Sequence, residues 1–92
     1  MTTLQIVVED ARPVEAVCDV EFLTVKLHDG RILRAPIWWY PRLQAAGLDQ
    51  RSHIELSPFG LHWPDVDEDI SVASILRGEK APGAHSPATS RK

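Results

Sequence analysis

The chain has 92 residues, 43% hydrophobic and 25% charged, enough for one domain with a modest core. Its single cysteine, Cys18, excludes an internal disulfide and any site built on a cysteine pair, and it points to a reducing compartment. Net charge is −3 overall but −5 over residues 1–78, where twelve acidic side chains face seven basic ones, a poor basis for gripping phosphate backbones.

No apolar run approaches the roughly 20 residues that span a bilayer, and no basic-then-apolar leader opens the chain. The expected location is therefore cytoplasmic, with no membrane contact and no direct nucleic-acid binding.

Leu4-Gln5-Ile6-Val7-Val8 is a short β-branched run that suits a strand, stopped by Glu9, Asp10 and Pro13. Val14 to Cys18 resumes an extended pattern. Glu21 to His28 alternates, with Leu23, Val25 and Leu27 on one face and Phe22, Thr24, Lys26 and His28 on the other. Asp29-Gly30 is the pair favoured in a two-residue type I′ turn, so Arg31 to Ile37 is expected to return as the second strand of a hairpin. That turn sets Leu27 opposite Ile32, Lys26 opposite Leu33, Thr24 opposite Ala35 and Phe22 opposite Ile37.

Pro41 suits the first turn of a helix running from near Trp39 to Ala46, and Gly47 a stop. Leu48 to Ser52 looks like a polar turn, His53 to Leu56 a strand, Ser57-Pro58-Phe59-Gly60 a turn, and Leu61-His62-Trp63 the partner strand. After Pro64, Asp67 or Asp69 can cap a helix starting near Ile70, with Val72, Ile75 and Leu76 on its inner face and Gly78 as its end. From Glu79 onward no large apolar residue remains, and a disordered tail over 79–92 is expected. The expected architecture is a single α+β domain over 1–78: a small antiparallel sheet of about four strands, built on the central Asp-Gly hairpin, with two short helices.

Asp29-Gly30-Arg31, then Pro36 and Pro41-Arg42-Leu43, then His62-Trp63-Pro64 and Asp67-Glu68-Asp69-Ile70-Ser71-Val72, with Leu76 and Gly78, resemble a small prokaryotic family. It is the one known as domain of unknown function 2442 (DUF2442), and the likeness runs from about Val14 to Gly78. The resemblance implies a compact α+β domain, fused in some members to a helix-turn-helix for which no room is expected after Gly78. It also implies frequent encoding beside domain of unknown function 4160, in a toxin–antitoxin-like arrangement. No activity comes with the family.

Asp65, Asp67, Glu68 and Asp69 imitate a calcium loop, but Ile70 stands where the sixth position needs glycine and Leu76 where the twelfth needs glutamate. His28, His53 and His62 lack metal-ligand spacing, and no serine or cysteine sits in a nucleophile context. No metal, cofactor or catalytic set is therefore expected. Trp38, Trp39, Tyr40 and Trp63 concentrate aromatics in a short chain, with Arg42 close by. Neighbouring Trp38 and Trp39 cannot share one environment, so one is expected to be buried and the other exposed beside Tyr40 and Arg42, residue types enriched in binding hot spots. The leading expectation is a non-enzymatic interaction module, antitoxin-like or regulatory. It would hold a basic or apolar protein partner through Trp38, Trp39, Tyr40, Arg42, Asp65, Asp67 and Glu68. The alternatives are an acidic inhibitor from a mobile element that mimics nucleic acid (anti-CRISPR-like) and, disfavoured, a small metal-dependent enzyme.

Overall fold

The computed structural model describes residues 11–86. The strand expected at Leu4–Val8 and the tail residues 87–92 lie outside them. The described residues form two three-stranded antiparallel sheets and three short helices, a small α+β arrangement. Two small sheets replace the single one of about four strands, and there is one helix more than expected.

The first sheet has the order β1 (Pro13–Cys18), β2 (Phe22–Leu27), β3 (Ile32–Pro36). Leu23, Val25 and Leu27 of β2 are buried, as their alternation demands. The turn after them is not the two-residue form. Gly30 N donates to Leu27 O at 2.9 Å and Leu27 N donates to Arg31 O at 2.8 Å, leaving His28, Asp29 and Gly30 as a three-residue loop. Gly30 takes φ +96°, which closes such a loop, and Asp29 Oδ1 accepts from Arg31 N at 3.0 Å. The extra loop residue slips the register by one. Val25 now faces Leu33 and Leu23 faces Ala35, while Lys26 faces Ile32 and Thr24 faces Arg34. A one-residue slip reverses the faces of a strand, and here it puts Ala35 in the core and leaves Ile32 exposed.

After β3 a 3-10 turn, Ile37–Trp39, precedes α1 (Pro41–Ala45), so Tyr40 interrupts the single helix expected there. Gly47 does not end α1 but stands as the N-cap of α2 (Leu48–Ser52), which replaces the polar turn. Arg51 explains why α2 exists: 8% exposed, it reaches back to donate to Leu43 O at 2.8 Å and Gln44 O at 2.7 Å. Both carbonyls lie in the last turn of α1, where Leu43 O also accepts from the backbone N of the cap residue, Ala46, at 3.1 Å and Gln44 O depends on Arg51. Arg51 also donates to Asp19 O at 3.2 Å, fastening the helices to the first hairpin.

The second sheet is β4 (Glu55–Leu56), β5 (Gly60–Trp63), β6 (Glu68–Ser71). β6 is the main correction. Asp67 and Asp69 cap nothing; Pro64 to Asp67 form the loop of a hairpin, with Asp67 at φ +53°, and Trp63 pairs with Glu68. Glu68 and Ile70 point inward and Asp69 and Ser71 outward, a period of two that belongs to a strand. Only then does α3 (Val72–Arg77) begin, capped by Ser71 Oγ, which accepts from Ser74 N at 3.0 Å. Val72 and Ile75 are buried, Gly78 ends the helix at φ +75° as expected, but Leu76 is 49% exposed rather than inward. The two sheets and α3 close over one core in which Trp63 is fully buried, its Nε1 donating to Arg51 O at 3.0 Å.

Candidate partner-binding site

A 3-10 turn has three residues per turn, so residues three apart stack on one side. Ile37 and Tyr40 fill that side and are both buried, at 5% and 2% exposure. Trp38 and Trp39 flank them and are both half-buried, so the expected split, one inside and one outside, does not occur. Tyr40 is likewise a core residue rather than part of the exposed surface. The two tryptophan rings meet edge to face at 6.5 Å, and Trp39 meets Tyr40 edge to face at 6.2 Å, which fixes the orientation of all three.

Arg42 lies one residue into α1 and is pinned rather than free. Its Nη1 donates to Asp67 O at 2.7 Å and stands 3.6 Å from Glu68 Oε1. This ties the helix to the β5–β6 loop and explains how residues 25 positions apart in sequence share one end of the molecule. Glu68 is 9% exposed, and burial pushes its carboxyl up, against a smaller opposing pull from Arg42. Burial, and then the charge of Glu68, push the Tyr40 phenol up to about 12.

The expected tail supplies the last wall. Ala81 N donates to Trp39 O at 2.9 Å, Lys80 Nζ sits 4.8 Å from the centroid of the Trp39 ring, and Ala81 packs against the core. Residues 80 and 81 are therefore held, where a free tail was expected. The sequence offered no sign of this, because a single backbone bond and a cation over a ring need no apolar pattern. Two adjoining clefts, of about 220 and 300 Å³, share Glu68, Asp69, Ala81 and Pro82. Trp39, Tyr40, Arg42, Asp67 and Glu68 thus come together, with Trp38 at the rim through its contact with Trp39.

Asp65 does not join them. It faces His53, whose Nδ1 lies 3.1 Å from Asp65 Oδ2. A second such pair, His62 Nδ1 and Asp69 Oδ1 at 2.7 Å, crosses the β5–β6 pair, and this hydrogen bond raises the histidine pKa. Ser57 shares a surface depression with His62 and Asp69, but its hydroxyl accepts from Phe59 N at 3.4 Å and Gly60 N at 3.2 Å to close the β4–β5 turn. Cys18 is buried, and burial pushes its thiol up to about 11, away from thiolate reactivity. Among the described residues no helix is long and apolar enough to cross a membrane, and no three metal-ligand side chains gather.

A family model described as protein of unknown function (DUF2442) matches residues 13–81. A crystallised protein of unknown function from Rhodospirillum rubrum ATCC 11170 is similar at 27% identity, with a TM-score of 0.69, over 79% of this chain and 93% of that one. No curated protein matches.

Proposed function

The chain belongs to the family of proteins of unknown function DUF2442, and from its geometry we propose that it is a non-enzymatic protein-interaction module, an antitoxin-like or regulatory partner protein. The reading is carried by the Trp38–Trp39 pair: two half-buried tryptophans locked edge to face on a turn whose underside is anchored by Ile37 and Tyr40. Aromatic side chains held rigidly at a surface lose little entropy on binding, which is why such residues dominate interface energetics. Arg42 and Asp67 beside the pair supply a charged rim, with the buried Glu68 carboxylate behind Arg42. The absence of a catalytic reading has a physical basis as well. Neither histidine–aspartate pair has a hydroxyl or thiol hydrogen-bonded to it among the described residues, and the Ser57 hydroxyl serves a turn.

The test compares the affinity-tagged protein with its Trp38→Ala form in capture from the native host, followed by a measured Kd for whatever protein is identified. Trp38 is half-buried against Trp39, so Trp38→Ala should cost about 1–2 kcal/mol of stability, within the ordinary range for a single substitution and too little to unfold the domain. It should weaken the partner by about 2 kcal/mol or more, the scale of a hot spot. An identified partner whose Kd is unmoved by this substitution refutes the reading.

A further inference from the structure

The β4–β5 turn and the start of α3 enclose a groove of about 240 Å³ walled by Pro58, Phe59, Val72, Ala73, Leu76 and Ala11. Among the described residues its only polar side chain is Ser71, whose hydroxyl is already engaged as the cap of α3. Phe59 is 68% exposed and Leu76 49%, so two large apolar side chains lie bare in one depression. A contiguous patch of that kind marks a surface that something covers. Leu76 stands three positions from Ala73 and four from Val72, so the three share one flank of α3. Val72 N donates to Phe59 O at 2.9 Å and ties that flank to the turn, which leaves the groove preformed.

Ala11, the first described residue, is part of the wall and packs against the core. The chain therefore enters the fold at the groove itself. Just before it come Glu9 and Asp10, and before those Leu4-Gln5-Ile6-Val7-Val8, in which Leu4, Ile6 and Val8 recur at every second position. Val8 is three positions from Ala11 and Leu4 is seven, reaches of about 10 and 23 Å at about 3.3 Å per residue.

We propose that the groove is covered by the chain's own Leu4–Val8 segment, with Leu4, Ile6 and Val8 set against Phe59, Val72 and Leu76. Apolar residues at a period of two present one apolar face, which suits a groove that offers apolar area and no side-chain hydrogen-bond anchor. The tether decides between occupants. A segment joined through two residues acts at an effective concentration in the millimolar range, which a second copy or a separate peptide would have to match. No residue of the groove belongs to the Trp38–Trp39 site, so this inference stands apart from the partner-binding reading. It takes the groove out of the surface open to a partner.

The experiment is a methyl NOE measurement on the labelled full chain, at a concentration well below the millimolar range. NOEs should link the Ile6 and Val8 methyls to the Leu76 methyls and the Phe59 ring. In a mixture of labelled and unlabelled chains, a filtered spectrum that keeps only contacts between molecules should lose them. Ile6→Ser should lower Tm by at least about 5 °C, as one large apolar side chain loses its cover, and Val7→Ser, on the opposite face, by under about 2 °C. Ile6→Ser combined with Leu76→Ser should lower Tm by less than the sum of the two, since each removes one side of the same contact. Absence of the NOEs overturns the proposal, and their survival in the filtered spectrum overturns it in favour of a second copy's segment. Equal Tm changes in Ile6→Ser and Val7→Ser, or strict additivity in the double variant, overturn it as well.

Discussion

Arg51→Met tests what holds the two halves of the molecule together. The substitution keeps an unbranched stem and removes every donor of a side chain that is 8% exposed. Three carbonyls lose a partner: Leu43 O at 2.8 Å, Gln44 O at 2.7 Å and Asp19 O at 3.2 Å. A hydrogen bond to a charged group contributes about 1.5–3 kcal/mol. Taking the two short bonds at the lower figure, since the guanidinium also sheds its own desolvation cost, the loss is about 3 kcal/mol. For a domain of this size that is a fall in Tm of about 12–24 °C, at about 4–8 °C per kcal/mol. Total stabilities run to about 5–15 kcal/mol, so the variant should remain folded at room temperature. Urea unfolding followed by tryptophan fluorescence reads the change directly, because Trp63 Nε1 bonds to the backbone carbonyl of Arg51. Arg34→Met, which removes an exposed cation stacked 4.7 Å from the Phe22 ring centroid, is the control and should cost no more than about 1 kcal/mol. A loss below that level for Arg51→Met would refute its role as the clasp between α1, α2 and the first hairpin.

Gly60→Ala should be far worse than an ordinary surface change. A Cβ at Gly60 would fall on Ile70 O and lie 2.9 Å from Ser71 Cα, so β5 and β6 would have to part, at about 3 kcal/mol by thermal unfolding; a near-neutral variant would show that the strands are not so close. Ser71→Ala should cost about 1 kcal/mol as the loss of a helix cap, whereas Asp67→Asn should leave helicity by circular dichroism unchanged; the reverse order would restore the acidic cap. The hydrogen bond that His62 Nδ1 donates to Asp69 raises the folded-state pKa of His62, so its stabilisation is complete below the unfolded pKa near 6.5 and fades as pH rises through the folded value. The Tm advantage of the natural protein over His62→Gln should therefore be larger at about pH 5.5 than at about pH 8.5, and a pH-independent difference would count against the pair.

Local patterns decided much of the architecture. The alternation of Leu23, Val25 and Leu27 buried one face of β2, Asp29-Gly30 turned the chain, and Gly78 ended α3. Each depends only on the nearest neighbours, through side-chain direction or backbone φ. The family likeness was equally legible, because His62-Trp63-Pro64 and the Asp67–Val72 block are contiguous, and the family model matches across them. Three other outcomes depended on contacts between distant residues. Asp67 to Ile70 is compatible with a helix N-terminus or a strand, and pairing with β5 chose the strand, placing Glu68 in the interior. The register of β3 was set by one residue of loop length, which a choice between turn types could not settle in advance. The candidate site depended on Arg42 reaching Asp67 and on Ala81 bonding to Trp39, contacts that span 25 and 42 positions. Sequence spacing governs the faces of a single element. Which faces meet is decided by burial across the whole chain, and here that burial turned Tyr40 and Glu68 from expected surface residues into interior ones.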